Sequence, residues 1–270
     1  FCSFELLEDL EVKAGDDKWI RSKFADNLRQ TESVSWVYDP PEKVSRAPVL
    51  LSTVSRALTD AISTARSEVM IQSPYFVLSE NAQNLLKDIK ESHPDVKMIV
   101  STNSLAATDN WATYAAHYGE KRIYLEDLEL EMWEFKPIPE AIEKMMSYRK
   151  LLRRLPLPGE TFRHGKVKFK IDRTLTRVQG GGQATAFTQK SGGGRINPHL
   201  EVPPYLSLHA KSLVVDGRLS YVGSYNLDPR SDSYNTEVGL LVADESFASK
   251  LRESILEDAS PANSYLIGSK

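Results

Sequence analysis

Residues 208–244 read LHAKSLVVDGRLSYVGSYNLDPRSDSYNTEVGLLVAD. Two apolar runs flank Asp216-Gly217, a dipeptide strongly favoured in two-residue hairpin loops. With that loop, Val215 pairs with Arg218, Lys211 faces Val222 and His209 faces Ser224. Side chains alternate between the faces of a strand, so His209, Lys211, Ser224 and Asn226 are expected on one face of the hairpin. Four polar groups converging on an otherwise apolar strand pair are costly to bury without a purpose. The set offers an imidazole, a fixed cation and neutral donors. A cation with amide donors suits the spread negative charge of a phosphoryl group in transfer. A neutral imidazole can attack phosphorus and form a phospho-histidine, provided a partner on its other nitrogen orients it. Glu237, on the following strand, is the candidate orienter. The cluster contains no group of carboxylates or histidines suited to a metal, and no cofactor is expected.

Outward from this stretch the pattern is that of an α/β layer fold with a mixed sheet flanked by helices. Leu50, Leu51, Val54, Leu58, Ile62 and Ala65 recur at spacings of three and four, which predicts an amphipathic helix within 49–65. Val69-Met70-Ile71 predicts a short buried strand. Ala82, Leu85, Leu86 and Ile89 predict a second helix, and 96–101 a second strand. Leu128, Leu130 and Met132 alternate with Glu129 and Glu131, predicting a third strand. A final helix is expected near 245–256. Residues 1–47 read as an irregular lead-in with short helical pieces, punctuated by Pro40-Pro41. The domain therefore spans 48–135 and 206–270, interrupted by 136–205.

That interruption has its own character. It holds 14 basic and 5 acidic residues, a net of +9, which leaves −12 for the rest of a chain whose total is −3. Gly180-Gly181-Gly182 and Gly192-Gly193-Gly194 mark a flexible, Gly-rich insertion. Its front end, 138–155, reads as a basic amphipathic helix of the kind that lies on anionic membranes. A helix docked on the body with its basic side in water fits equally. The charge asymmetry suggests an anionic partner, either a membrane surface or nucleic acid. One cysteine, Cys2, excludes an internal disulfide and a Cys-rich zinc site. No apolar run is long enough to span a bilayer.

His209-Ala-Lys211, four residues and then Asp216-Gly217 resembles the HxKxxxxDG signature of the phospholipase D superfamily. Gly223 to Ser231, GSYNLDPRS, is similar to the GSxN-x-DPRS continuation of its lipid-acting bacterial branch, and Asn235-Thr236-Glu237 resembles its NTE segment. Gln72-Ser73-Pro74-Tyr75-Phe76 and Thr102 to Asp109, TNSLAATD, are similar to second-half motifs of bacterial cardiolipin synthase-like proteins. The resemblance covers roughly 45–135 and 205–256. It implies a phospholipase D-like fold and a peripheral, membrane-associated bacterial protein. It makes His209 the catalytic histidine, either nucleophile or general acid. It places Lys211 and Asn226 on the phosphoryl oxygens, with Ser224 assisting and Glu237 orienting His209. Asp216 and Gly217 are expected to be structural, and Asp228 and Arg230 are motif members of unassigned role.

The implied mechanism uses two histidines from two such motifs, one forming the covalent intermediate and one transferring protons. Of His93, His117, His164, His199 and His209, only His209 sits in a full motif. His164-Gly165-Lys166 imitates the start of one, but Asp172 falls one position late. His93 is expected in an exposed turn and His117 on a helix surface. The chain starts at Phe1 rather than Met. The second half-site is expected from an upstream part of a longer chain or from a homodimer. Three functions follow as expectations: phosphatidyl transfer or hydrolysis on anionic phospholipid membranes, a metal-independent nuclease following a phosphate backbone along the basic insertion, and a non-catalytic lipid-binding half.

Overall fold

The structure is a computed structural model. It describes residues 11–26, 28, 30–31, 33–44, 52–142 and 206–268, and the backbone of two short strands between 161 and 170. Its strands are β1 (Ser33–Tyr38), β2 (Glu68–Gln72), β3 (Lys97–Asn103), β4 (Glu131–Phe135), β5 (Thr161–His164), β6 (Val167–Lys170), β7 (Ser212–Val215), β8 (Leu219–Gly223), β9 (Val238–Ala243) and β10 (Ser264–Ile267). The helices that shape the site are α1 (Thr53–Ser63), α2 (Glu80–Ser92), α3 (Trp111–Arg122), α4 (Pro229–Ser233) and α5 (Glu245–Asp258). Eight strands form one mixed sheet in the order β1-β9-β8-β7-β2-β3-β4-β10, and β5 and β6 form a separate hairpin. β2, β3 and β4 run parallel, as the α2 and α3 crossovers require. The other pairings in the sheet are antiparallel.

The α/β reading and its helices hold. Ser52 caps α1 by accepting from the Ser55 amide, and Val54, Leu58, Ala61 and Ile62 bury one face at helical spacing. Ser79 caps α2, which ends at His93 because the residue before Pro94 is disfavoured in helical conformation. Alternate residues of β2 feed two cores. Val69 and Ile71 join α1, α2 and Tyr124 on one face, while Met70 joins Ile99, Val214, Ala248 and Ile255 beneath α5 on the other. A strand covered on both sides reads as a continuous apolar run, as Val69-Met70-Ile71 does.

Three expectations need correction. First, 33–38 is a strand and not an irregular lead-in: β1 pairs antiparallel with β9 at the sheet edge. It leaves Val34, Trp36 and Tyr38 about half exposed or more, so it lacks the buried face that would have betrayed it. Second, the third strand begins at Glu131. Leu128 and Leu130 are buried in the turn out of the preceding helix, where their amides donate to Ile123 and Tyr124 carbonyls and Glu129 takes φ 49°. The alternation there comes from a turn that buries both leucines. Third, the β7–β8 hairpin is out of the expected register by one, because its loop has three residues and Val215 pairs with Leu219.

Asp216 explains the shifted register. Its carboxylate accepts from the backbone amides of Arg66, Ser67 and Glu68 and from the Ser67 hydroxyl, all at 2.8–2.9 Å. Its own amide donates to the Glu68 carbonyl. These bonds fasten the turn to the start of β2 and hold Asp216 and Gly217 at φ 50° and 64°, a region Asp and Gly tolerate best. Burial alone would raise the Asp216 pKa, but the Glu68, Ser67 and Arg66 donors more than offset it and hold it below 3.8. Asp216 thus fastens the hairpin turn to the start of β2. Asp216→Ala should lower stability at neutral pH by about 1–2 kcal/mol, because the Arg66, Ser67 and Glu68 amides lose their shared acceptor. Urea unfolding at pH 7 measures this, and the wild type should lose part of this contribution as pH falls through the lowered Asp216 pKa.

Tyr221 crosses the facing pair Gly223 and Gly239. A Cβ at Gly223 would stand 2.2 Å from the Tyr221 hydroxyl, and one at Gly239 would stand 2.2 Å from its ring. Glycine at both positions is therefore a packing requirement.

Candidate active site

At the end of β7 and β8 the chain opens into a cleft of about 570 Å³ lined by His209, Lys211, Ser224, Asn226, Tyr234, Asn235, Thr236 and Glu237. The expected set is brought together, but by a route other than the expected hairpin register. Beyond Gly223 the chain bends back on β9: the Ser224 amide donates to the Val238 carbonyl, and the Val238 amide donates to Ser224 Oγ at 3.0 Å. The Asn226 amide donates to Ser231 Oγ. Asp228 caps α4 by accepting from the Ser231 amide at 2.8 Å, so its role is to start the turn that carries Asn235, Thr236 and Glu237 inward. Arg230 is exposed on α4, and its carbonyl accepts from the Tyr234 and Asn235 amides.

His209 is exposed at the rim. Lys211 is buried, and its Nζ donates to the His209 carbonyl at 2.8 Å and lies 3.2 Å from His209 Nδ1. This contact holds the imidazole by its Nδ1 side. Burial pulls the Lys211 pKa below 10.5, against the attraction of Glu237, Asp109 and Asp228.

Glu237 makes different contacts from those expected. Its buried carboxylate accepts from the hydroxyls of Ser224 and Ser231. No hydrogen bond joins it to His209 among the described residues. Within this chain it supports the wall of the cleft rather than the imidazole. Among the described residues, Asn226 Oδ1 is buried without a partner. A buried acceptor left unpaired is a cost that a bound hydrogen-bond donor would remove.

Two residues that hold the site were not singled out from the sequence. Asn103, at the end of β3, grips the residue before His209: its Oδ1 accepts from the Leu208 amide at 2.8 Å and its Nδ2 donates to the Leu208 carbonyl at 2.9 Å. Asp39, just past β1, is buried. It accepts from Lys43 Nζ at 2.7 Å, from the Ser52 hydroxyl and from the amides of Val54 and Glu237. Lys43 also donates to the Ser231 carbonyl at 2.7 Å. The signal for Asn103 was an amide at a buried strand end, within the TNSLAATD stretch. Asp39 carried none, because its partners lie up to 198 residues away.

The remaining histidines separate from the cleft. His117 is buried rather than on a helix surface. Its Nδ1 donates to the Phe76 carbonyl at 2.8 Å, and its Nε2 lies 3.5 Å from Glu134. Burial tends to raise the Glu134 pKa, but His117 and Lys121 hold it below 4.5. This cluster ties the segment after β2 to β4. His93 is half-buried at the end of α2 rather than fully exposed. His164 ends β5, in the separate two-stranded hairpin. His199 and most of the expected basic helix at 138–155 lie outside the described residues.

A family model described as "Cardiolipin synthase, PLD-like domain" matches residues 58–259. The chain belongs to this phospholipase D-like family. Among relatives, an uncharacterised protein of Helicobacter pylori is 25% identical over 264 residues, 94% of this chain and 41% of that protein. Cardiolipin synthase C of Escherichia coli is 25% identical over 220 residues, 81% of this chain and 35% of that protein. The chain thus spans about two fifths of the curated relatives it matches. The solved phosphatidylserine synthase of Haemophilus influenzae aligns with a TM-score of 0.49 at 13% identity, over 87% of this chain and 40% of that one. Within the phospholipase D-like domain, the cleft falls where the HxK and GSxN residues meet.

Proposed function

We propose that this chain carries one half-site of a phosphatidyltransferase or phospholipase D, working through a phospho-histidine intermediate. The observation that supports this most is the cleft itself, which joins an exposed imidazole, a buried ammonium and the Asn226 amide within a phospholipase D-like domain. In the first step an imidazole nitrogen forms a bond to phosphorus, the bond to the leaving oxygen breaks, and a second imidazole protonates that oxygen. In the second step the same group deprotonates an acceptor hydroxyl, which attacks phosphorus and frees the first imidazole. Lys211 and Asn226 neutralise and orient the phosphoryl oxygens. Ser224 and Glu237 fix the wall behind them.

The described cleft holds a single histidine, so the other imidazole belongs to a second half-site. That half lies in a further part of a longer chain or in a second copy, and the greater length of the relatives favours the former. With water as acceptor the product is phosphatidic acid. With phosphatidylglycerol it is cardiolipin. Among the described residues no helix is long and apolar enough to cross a membrane, and the basic 136–205 segment is the proposed contact with an anionic membrane surface.

The test is incubation of the complete protein with phosphatidylglycerol vesicles labelled at phosphorus, quenched in alkaline detergent because a phospho-histidine is lost in acid, followed by peptide mapping at high pH. Label on His209 with cardiolipin or phosphatidic acid released supports the reading and makes His209 the nucleophile. Label on a second histidine instead makes His209 the acid. No lipid product, with metal-independent cleavage of single-stranded DNA, would replace the reading with the nuclease one. Vesicle binding with no turnover of either would leave a binding half.

A further inference from the structure

A second hollow lies one chain thickness from the cleft. It has a volume of about 370 Å³ and sits between α1 and α2 above the sheet. Leu58 and Ile62 form one wall, Ala82 and Leu85 the other, and Leu213 and Tyr221 the floor. Protein interiors rarely leave voids larger than a water molecule, whose share of liquid volume is about 30 Å³. A hollow of this size between packed helices is a ligand-sized site rather than a packing defect.

Its polarity is uneven. Most of the lining is apolar, with Ser55, Arg56, Asp232 and Ser233 grouped where α1 meets α4 and Thr59, Ser79, Asn81 and Ser212 standing singly elsewhere. A ligand with polar groups all round would leave them unpaired against the walls. A long alkyl chain with one polar ester end would not. Asp232 is already engaged by the hydroxyls of Tyr225 and Ser55. Arg56 is exposed and makes no ion pair among the described residues, so its N–H groups are available as donors to an ester carbonyl.

The hollow and the cleft share their dividing segment. Ser224 and Asn226 line the cleft, whereas Tyr225 and Leu227 line the hollow. Ser233 lines the hollow and the exposed Tyr234 the cleft. Lys211 and Leu213, two residues apart, point to the same side of the sheet. We propose that this hollow seats one acyl chain of the phospholipid whose phosphate lies on Lys211, the chain passing over the Ser233–Tyr234 rim. The proposal rests on the lipid reading above and adds chain-length selectivity to it.

The test uses the complete protein and two photoreactive probes with 16-carbon chains, diazirine-bearing phosphatidylglycerol and diazirine-bearing palmitate. Phosphatidylglycerol should label peptides from 53–63 and 80–92. Ala82→Phe, which fills the hollow, should remove that label and lower kcat/KM for long-chain phosphatidylglycerol by about tenfold or more, with short-chain phosphatidylglycerol turned over as before. Leu85→Ala, which only widens the hollow, serves as a second variant. It should raise KM for the long-chain substrate alone. Label confined to palmitate would make this a free fatty-acid site and overturn the substrate assignment. Label elsewhere, or long-chain turnover unchanged in a folded Ala82→Phe protein, would overturn the site while leaving the lipid reading intact. Failure of the unsubstituted protein to turn over even the short-chain lipid would defeat both.

Discussion

His209→Ala should abolish phosphodiester transfer by the complete protein, by about a thousandfold or more, and leave the fold unchanged. The imidazole is exposed, and among the described residues its ring hydrogen-bonds only to Lys211, so its removal orphans no described amide. Substitutions at such surface positions usually stay within about 0.5 kcal/mol in stability. Lys211→Ala should cost nearly as much activity, because it removes the fixed cation from beneath the phosphoryl group. Lys211 is buried, and its ammonium is bonded to the His209 carbonyl. Steady-state turnover of phosphatidylglycerol vesicles and thermal melting of both variants check this. Melting transitions lowered alongside activity in both would mean that the cluster serves the fold instead of chemistry.

Asp39→Ala should have the largest effect on stability, about 3–5 kcal/mol, because it leaves the buried Lys43 ammonium without its counter-charge. It also releases the Ser52 hydroxyl, and with it the amides of Val54 and Glu237. A loss of this size is a large part of a domain's total of about 5–15 kcal/mol. Burial tends to raise the Asp39 pKa, but Lys43, Ser52 and the two amides hold it below the ordinary 3.8. A carboxylate depressed in the folded state contributes stability that is complete above its unfolded pKa and is lost as pH falls through the lower folded value. Wild type should therefore weaken below about pH 4, and Asp39→Ala should show a flatter acid limb. Urea midpoints between pH 3 and 7 test both statements, and a midpoint at pH 7 equal to wild type would show the network to be dispensable.

The parts legible in the sequence were those set by local pattern. α1 and α2 announce themselves by buried residues at helical spacing after a serine cap, and β2 by a run buried on both faces. The cleft residues were legible because His209, Lys211, Ser224, Asn226 and Glu237 lie within one stretch. Their mutual geometry was not. The loop took a third residue because Asp216 is tied to the amides preceding β2, some 150 residues earlier, and no local rule weighs that pull. Glu237 was assigned to His209 by proximity along the family motif, while two hydroxyls, Ser224 and Ser231, hold it instead. β1 escaped notice because an edge strand with apolar residues facing out looks like loop. His117 was read as surface because α3 carries no strong apolar stripe, yet its ring packs edge-on against Phe76.

The antiparallel pairing of β1 with β9 also sets a schedule for biosynthesis. β1 and Asp39 leave the ribosome almost 200 residues before Glu237 and the strand that will receive them. At about 5–20 residues per second the interval is roughly 10–40 seconds. During it, Val34, Trp36 and Tyr38 have no sheet to join. The cleft is thus completed when residues 224–243 close onto residues 33–44, an ordering that long-range strand pairing makes slow. A nascent chain stalled before Glu237 would hold α1 to α4 and the parallel strands but not the carboxylate that Ser224 and Ser231 hold in the wall of the cleft.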